Sequence, residues 1–403
     1  MRDQDNSGER MLAALLKVIG TTALDDLPDT VSEHAKAAGF TEVRIYVGDV
    51  ERRALHLIAG ARTGAAVERV LKIEGTDAGR AYQYGTILPV GTPPAEGVAY
   101  WVPMFNGKER LGLMFVGAVE DGETVREDAT ALATLVALAV STKRGHSDTY
   151  ARLNRTQPMN VAAEAQWQLI PPRTYTDSRV AVCATLEPSY RISGDAYDYA
   201  TAGSLVYMSI FDAMGHDTAA GQTAALAVAA SRSARRRGAG IPETGAVIEE
   251  ELGGQLGDVR YATAVLAVLD TASGLLTWAS FGHHPPLVLR DGAAIKLKCR
   301  PAYPLGTGLG DLETTLCHQQ LRPGDRVTLY TDGITEARRP HGQEFGLDRF
   351  ISVLTQYPDD GLSVSETVRR FSHTFLDYHQ GELQDDATVL LCEWLGPGPP
   401  LAE

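Results

Sequence analysis

From residue 175 to its end the chain is a succession of apolar runs of strand length: "SRVAVCATLEP", "SLVYMSIFDA", "TAVLAVLDTASGLLTWASFG", "PPLVLRDGAAIKLK", "DRVTLYTDG" and "ATVLLCEWL". Runs rich in Val, Leu, Ile, Thr and Tyr and bounded by Gly, Pro and Asp read as β-strands, and the glycine in "LDTASGLLTW" marks a turn between two of them. Two long helical runs accompany them, "GQTAALAVAASRSARRR" and "VSETVRRFSHTFLDYH". Many antiparallel strands with a few helices predict an α+β unit, its sheets packed between covering helices.

The first part of the chain reads differently. Amphipathic helix patterns "RMLAALLKVIGTTA" and "LPDTVSEHAKAAG" precede the strand-like runs "TEVRIYVGD", "ALHLIAG", "GVAYWVPMF" and "RLGLMFVGAV". Asn106-Gly107 between the last two is a hairpin signal. The periodic "REDATALATLVALAVSTKRG" closes the segment as a long helix. This order predicts a compact α/β domain within residues 1–143 and resembles a GAF domain, a small sensor fold. The resemblance implies a small ligand or partner, which the sequence does not name. Residues 144–170 carry two helical patterns broken at Pro158 and stopped by Pro171-Pro172. They are expected to form a helical linker between sensor and output, and to join two copies as a homodimer. The output domain is expected over 171–396, and 397–403 as a disordered tail.

A chain of 403 residues suggests two or three domains. Its net charge of −14 argues against general nucleic-acid binding, which wants a basic patch. No uncharged apolar run reaches the length of a membrane span, and "MRDQDNSGER" lacks the apolar core of a signal peptide. A cytoplasmic protein is the expectation. The four cysteines, Cys183, Cys299, Cys317 and Cys392, form no CxxC pair and are expected to be small buried apolar residues.

The chemistry lies in aspartates at strand ends. Asp195 follows a glycine in "RISGDAYDYA", and Asp212 ends the run "SIFDAMGHD". Asp332 follows "RVTLY", with Gly333 allowing a tight turn, and Asp385 and Asp386 precede "ATVLL". One aspartate at a strand end is ordinarily a turn residue or a helix cap. Four such sites are harder to explain that way, because strand ends hold side chains to narrow tolerances. Converging carboxylates repel unless a cation neutralises them. A donor set of oxygen alone favours Mg²⁺ or Mn²⁺ over zinc. Two such cations sharing one carboxylate would clamp a phosphate and lower the pKa of a bridging water.

"SGDAYD", "FDAMGH", "GHHPPLVL", "PLG", "LRPGDRVTLYTDGITEA" and "DDATVLL" occur here in one order. In that order they resemble the PPM-type (protein phosphatase 2C-like) metal-dependent serine/threonine phosphatases, in particular the bacterial SpoIIE/RsbU branch, over residues 160–395. The resemblance implies a β-sandwich flanked by helices in α-β-β-α layers. It implies two Mn²⁺ or Mg²⁺ ions, with Asp212 bridging both and the Ala213 carbonyl binding one. Asp195 would serve the first metal, directly or through water. Asp332 and Asp385 would complete the second, with Asp386 as the alternative to Asp385. Asp212 and Asp332 would be the catalytic centre, and the attacking species a metal-bridging water or hydroxide acting in line on phosphorus. The implied substrate is a phosphoserine or phosphothreonine, on a small anti-anti-sigma (STAS) protein in this branch, with the sensor setting activity.

The sequence departs from the family pattern at Ser193, Ala196 and Asp217, and no counterpart of the eukaryotic phosphate-binding arginine can be placed. His216 reads either as support for the site or as a structural turn residue. His283 and His284 are adjacent, so they point to opposite faces of a strand and are not read as a ligand pair. The basic run "SRSARRRG" at 231–238 reads as a solvated helix end. Tyr197 and Tyr199 read as core residues. Two other functions compete. A haloacid-dehalogenase-type phosphatase needs a second Asp two positions after the first, where Ile334 stands. A catalytically silent, ligand-sensing scaffold is disfavoured by the presence of all four aspartates.

Overall fold

A computed structural model describes residues 7–398, apart from 92–96, 108, 192–193, 216, 256–259, 310–312, 339–341 and 357–362. The chain divides into two units, Met1–Pro158 and Met159–Glu403.

The first unit comprises α1 (Ser7–Ile19), α2 (Leu27–Ala35), β1 (Phe40–Gly48), β2 (Ala54–Ile58), β3 (Val70–Lys72), α3 (Asp77–Tyr84), β4 (Leu88–Pro89), β5 (Val98–Asn106), β6 (Glu109–Ala118), α4 (Glu123–Lys143) and α5 (Asp148–Asn154). Its strands form one antiparallel sheet in the order β3-β2-β1-β6-β5-β4. Strand alternation sorts side chains between the two faces. Val43, Ile45 and Val47 of β1 pack with α1, α2 and α4, whereas Tyr46 lies on the other face with Leu113, Phe115 and Tyr82 of α3. The Asn106-Gly107 signal does form the β5–β6 hairpin, Asn106 pairing Glu109. Strand β3 and helix α3 have no counterpart in the sequence reading.

The second unit begins with α6 (Val161–Leu169) and continues through β7 (Thr174–Thr176), β8 (Val180–Glu187), β9 (Asp195–Ala202), β10 (Leu205–Ala213), α7 (Thr218–Arg236) and α8 (Ile241–Gln255). Then come β11 (Ala262–Asp270), β12 (Leu275–Phe281), β13 (Leu287–Arg290), β14 (Ala293–Lys296), β15 (Cys317–Gln320), β16 (Arg326–Tyr330), α9 (Asp332–Thr335), α10 (Leu347–Thr355), α11 (Val364–Tyr378) and β17 (Ala387–Trp394). Two antiparallel sheets result, β15-β12-β11-β10-β9 and β14-β13-β16-β17-β8-β7. One core joins their inner faces, with Tyr197, Met208, Ile210 and Trp278 from the first sheet against Val182, Leu329 and Leu390 from the second. Helices α7 and α8 cover the outside of the first sheet, and α10 and α11 the outside of the second. This is the expected α-β-β-α layering. Each sheet presents two apolar faces, so each needs a cover on both sides.

Within the expected 144–170 linker, α5 belongs to the first unit, where Val50 N–H bonds the Asn154 carbonyl, and α6 belongs to the second. Two expectations are corrected. The cysteines do not share one role: Cys183 and Cys392 are buried and apolar in setting, but Cys299 and Cys317 form a disulfide. The 231–238 run is not simply solvated. Arg232 and Arg235 both bind the buried carboxylate of Asp198. Most of the tail, 399–403, lies outside the described residues.

Candidate metal centre

Strand register builds the site. In the β9–β10 pair Asp195 lies directly opposite Asp212. Val206, Met208 and Ile210 of β10 face the core between the sheets, while Phe211 and Ala213 face the helices. The two-residue period therefore places Asp212 with the inward set. Tyr197 and Tyr199 place Asp195 inward by the same count, and Ala196 outward. The opposite sheet supplies the rest. Strands β16 and β17 are neighbours, Tyr330 pairing Val389. Asp332 follows β16 as the first residue of α9, and Asp385 and Asp386 immediately precede β17. One end of the sandwich thus collects five carboxylates from both sheets.

Hydrogen bonds cross that end. Asp195 is 2% exposed. Its Oδ2 accepts the hydroxyls of Thr331 at 2.7 Å and Thr388 at 2.6 Å, both from the opposite sheet. Asp386 Oδ2 accepts the backbone N–H of Gly194 at 2.7 Å and of Asp195 at 3.3 Å. Gln166 of α6 donates its side-chain amide to the Asp195 carbonyl. The adjacent acids have separate positions: Asp386 is buried against the Gly194 turn, while Asp385 is exposed and accepts the Asp386 N–H at 2.9 Å. Ala213 N–H bonds the Gly194 carbonyl, and a Cβ at Gly194 would lie 2.8 Å from the Ala213 carbonyl oxygen. That approach needs glycine at 194 and keeps the Ala213 carbonyl at the site.

The electrostatics are those of charges held apart from water. Burial, then the carboxylates of Asp332, Asp385 and Asp386, push the Asp212 acid up to about 7. Burial, then Asp212 and Asp386, push Asp195 well above the usual carboxylate range, and the Thr388 and Thr331 hydroxyls oppose that shift. An all-oxygen cluster with this self-repulsion fits hard divalent cations, which would remove the repulsion. Among the described residues, no group of three or more His, Cys, Asp or Glu side chains is drawn closely enough to enclose an ion. The carboxylates gather as an open cluster rather than a closed cage.

The remaining sequence candidates separate clearly. His216 and Ser193 lie outside the described residues. Asp217 is the N-cap of α7, its Oδ1 accepting the Ala220 N–H at 2.9 Å. Its own bond to that backbone N–H holds its carboxyl below the ordinary value. It is therefore a helix cap rather than a further acid of the site. His283 is buried, its Nε2 2.9 Å from the Tyr330 carbonyl and its Nδ1 2.6 Å from the Thr263 hydroxyl. The carbonyl requires Nε2 to carry the proton, so Nδ1 accepts from Thr263. Burial lowers this imidazole to about 4, so it stays neutral and pins the strand that leads to Asp332. In His283→Phe the buried Tyr330 carbonyl and the half-buried Thr263 hydroxyl both lose their bond. A loss of about 2–4 kcal/mol in the second unit is expected, read as a lower urea midpoint.

Sequence reasoning did not single out Thr331, Thr388 or Gln166. The two threonines do sit beside predicted acids, in "YTDG" and "DDATV". Only the meeting of the two sheets shows that both serve Asp195.

A two-sheet sandwich between helix layers, with strand-end aspartates from both sheets gathered at one end, defines the PPM class of domains. Residues 202–395 match the family described as stage II sporulation protein E (SpoIIE). The match includes Asp212, Ala213, Asp332, Asp385 and Asp386 and begins after Asp195. Protein IcfG of Synechocystis is 26% identical over 131 residues, 32% of this chain and 20% of that one. Phosphoserine phosphatase RsbU of Bacillus subtilis is 24% identical over 251 residues, 58% of this chain and 69% of that one. The chain thus spans a fifth of the first relative and about two thirds of the second. Among solved structures, the RsbU and RsbW domains of a Mycobacterium tuberculosis protein align with a TM-score of 0.49 at 23% identity, covering 58% of this chain and 65% of that one. The phosphatase domain of SpoIIE from Bacillus subtilis, with a fragment of its regulatory domain, aligns with a TM-score of 0.45 at 19% identity, covering 55% and 65%.

Proposed function

We propose that the second unit is a metal-dependent protein serine/threonine phosphatase. The observation that carries this reading is the convergence of Asp195, Asp212, Asp332, Asp385 and Asp386 at one sandwich end, where burial and then the carboxylates of Asp332, Asp385 and Asp386 push the Asp212 acid up to about 7. Asp212, the Ala213 carbonyl, Asp332 and Asp385 would hold two Mn²⁺ or Mg²⁺ ions. Bound there, such ions supply charge neutralisation for a phosphate and acidify a water. Asp195 stays inward through Thr331 and Thr388, and Asp386 fixes the Gly194 turn that faces the Ala213 carbonyl. These bonds keep the acids from collapsing onto other partners.

The family match and the likeness to RsbU support a phosphorylated regulatory protein of the anti-anti-sigma (STAS) kind as substrate. The first unit, a six-stranded sheet with helices on both faces, would be a GAF-like sensor that regulates this activity. A homodimer and a cytoplasmic location complete the proposal. No helix among the described residues is long and apolar enough to cross a membrane. The test is hydrolysis of p-nitrophenyl phosphate by the full chain with Mn²⁺ or with chelator. Turnover that requires Mn²⁺ and falls about a hundred-fold or more in Asp332→Asn is expected. Metal-independent turnover, or full activity in Asp332→Asn, would overturn it. No turnover under any metal would favour the silent scaffold.

A further inference from the structure

We propose that the second unit holds a separate site for a small carboxylic acid with an apolar body, between the first sheet and the end of α7. The inference does not rest on the phosphatase reading. A cavity of about 250 Å³ lies there, lined by β10, β11, the end of α7 and the start of α8. Its volume is that of about eight waters at liquid density, enough for a compact organic acid. It lies on the helix side of the sheet. Ser209 of β10 faces it, while Asp212, three residues on, has the opposite parity and faces between the sheets. The two sites are therefore divided by the sheet.

The lining has two halves. Leu205, Tyr207, Ile241 and Leu266 give an apolar surface. Arg235, Ser209, Ser231 and Thr244 give a polar one. Ser209, Ser231 and Thr244 are 3%, 4% and 7% exposed, yet their hydroxyls have no hydrogen-bond partner among the described residues. Buried hydroxyls ordinarily find one. None of the three is sealed off from solvent, so the cavity is where their hydrogen bonds are to be made.

Charge selects the ligand. Arg232 and Arg235 share the single carboxylate of Asp198, which leaves one positive charge uncompensated. Arg235 reaches Asp198 through Nη1 at 2.8 Å, and its Nε and Nη2 have no partner among the described residues. Its guanidinium lies 5.7 Å from the Tyr207 ring, which orients it along the cavity wall. A guanidinium with free N–H groups beside open hydroxyls suits a carboxylate, which it can bind in bidentate fashion. The apolar half suits a hydrocarbon or aromatic body. An exposed mouth at Gly238 and Gly240 in the α7–α8 turn admits it.

The test titrates the full chain with 3-phenylpropionate and with its amide, followed by calorimetry at roughly millimolar ligand. Saturable binding of the acid, about ten-fold or more tighter than the amide, is expected. Arg235→Gln should weaken the acid about ten-fold and leave the amide unchanged. Ser231→Met should fill the cavity and abolish binding of both. Equal binding of acid and amide to the wild type, or no saturation, would overturn the proposal without any variant. So would unchanged affinity in Arg235→Gln or Ser231→Met.

Discussion

Asp212→Asn loses metal-dependent turnover by about a thousand-fold or more and, in chelator at pH 8, becomes more stable than the parent. The two effects have one cause. Folded Asp212 keeps its proton up to about pH 7, against an ordinary 3.8. The folded state therefore binds more protons than the unfolded state between those values, so stability from this group is fully present below 3.8. It is lost as pH rises through 7. At pH 8 the metal-free protein holds a buried charge beside the carboxylates of Asp332, Asp385 and Asp386, and an amide removes both the cost of burying that charge and the repulsion. A gain of about 1–2 kcal/mol is expected, roughly 2–8 °C in Tm. The gain should shrink toward pH 4, where the parent is protonated. Added Mn²⁺ should raise the Tm of the parent at pH 8 and leave that of the variant nearly unchanged. A variant less stable than the parent at pH 8 in chelator would remove the electrostatic argument for the site.

Gly333→Ala is expected to destabilise the second unit by about 3 kcal/mol or more and to lower activity with it. A Cβ at this position would lie 1.8 Å from the Asp386 carbonyl oxygen and 2.9 Å from its carbon. The obstacle is backbone, held on both sides: Thr331 N–H bonds the Thr388 carbonyl at 3.1 Å, and Thr388 N–H bonds the Thr331 hydroxyl at 2.9 Å. Accommodating a methyl group would separate α9 from the start of β17, moving Asp332 away from Asp385 and Asp386. Gly253→Ala in α8 is the control. Nothing lies within 4 Å of its added Cβ, so a neutral or slightly stabilising effect is expected. Urea midpoints of the two variants decide the matter, and equal midpoints would refute the close approach at Gly333.

Local order was readable from the residues. Alternation in "SLVYMSIFDA" defines β10 and its two faces, Asn106-Gly107 defines the β5–β6 hairpin, and periodicity defines α7 and α11. These signals depend on neighbours in the chain. The short elements β3 and α3 were not readable, because three to eight residues carry too little pattern. The chain divides between Pro158 and Met159, at the helix break that the proline imposes. What the flanking helices pack against was not written locally.

The sequence by itself determined which acids stand at strand ends, that oxygen is the only donor type, and that sheets must be covered by helices. Side-chain chemistry and the two-residue period of a strand suffice for that. Tertiary structure decided which acids meet and what each does. Asp195 opposes Asp212 through register, and Thr331 and Thr388 reach Asp195 across the sandwich. Asp386 is buried against the Gly194 turn while Asp385 is exposed. Arg232 and Arg235, in a run that read as solvent-facing, are drawn to Asp198 because the sheet buries that carboxylate beside them. Charges and hydrogen bonds act over a few ångströms of space, and only the folded backbone determines which residues fall within that reach.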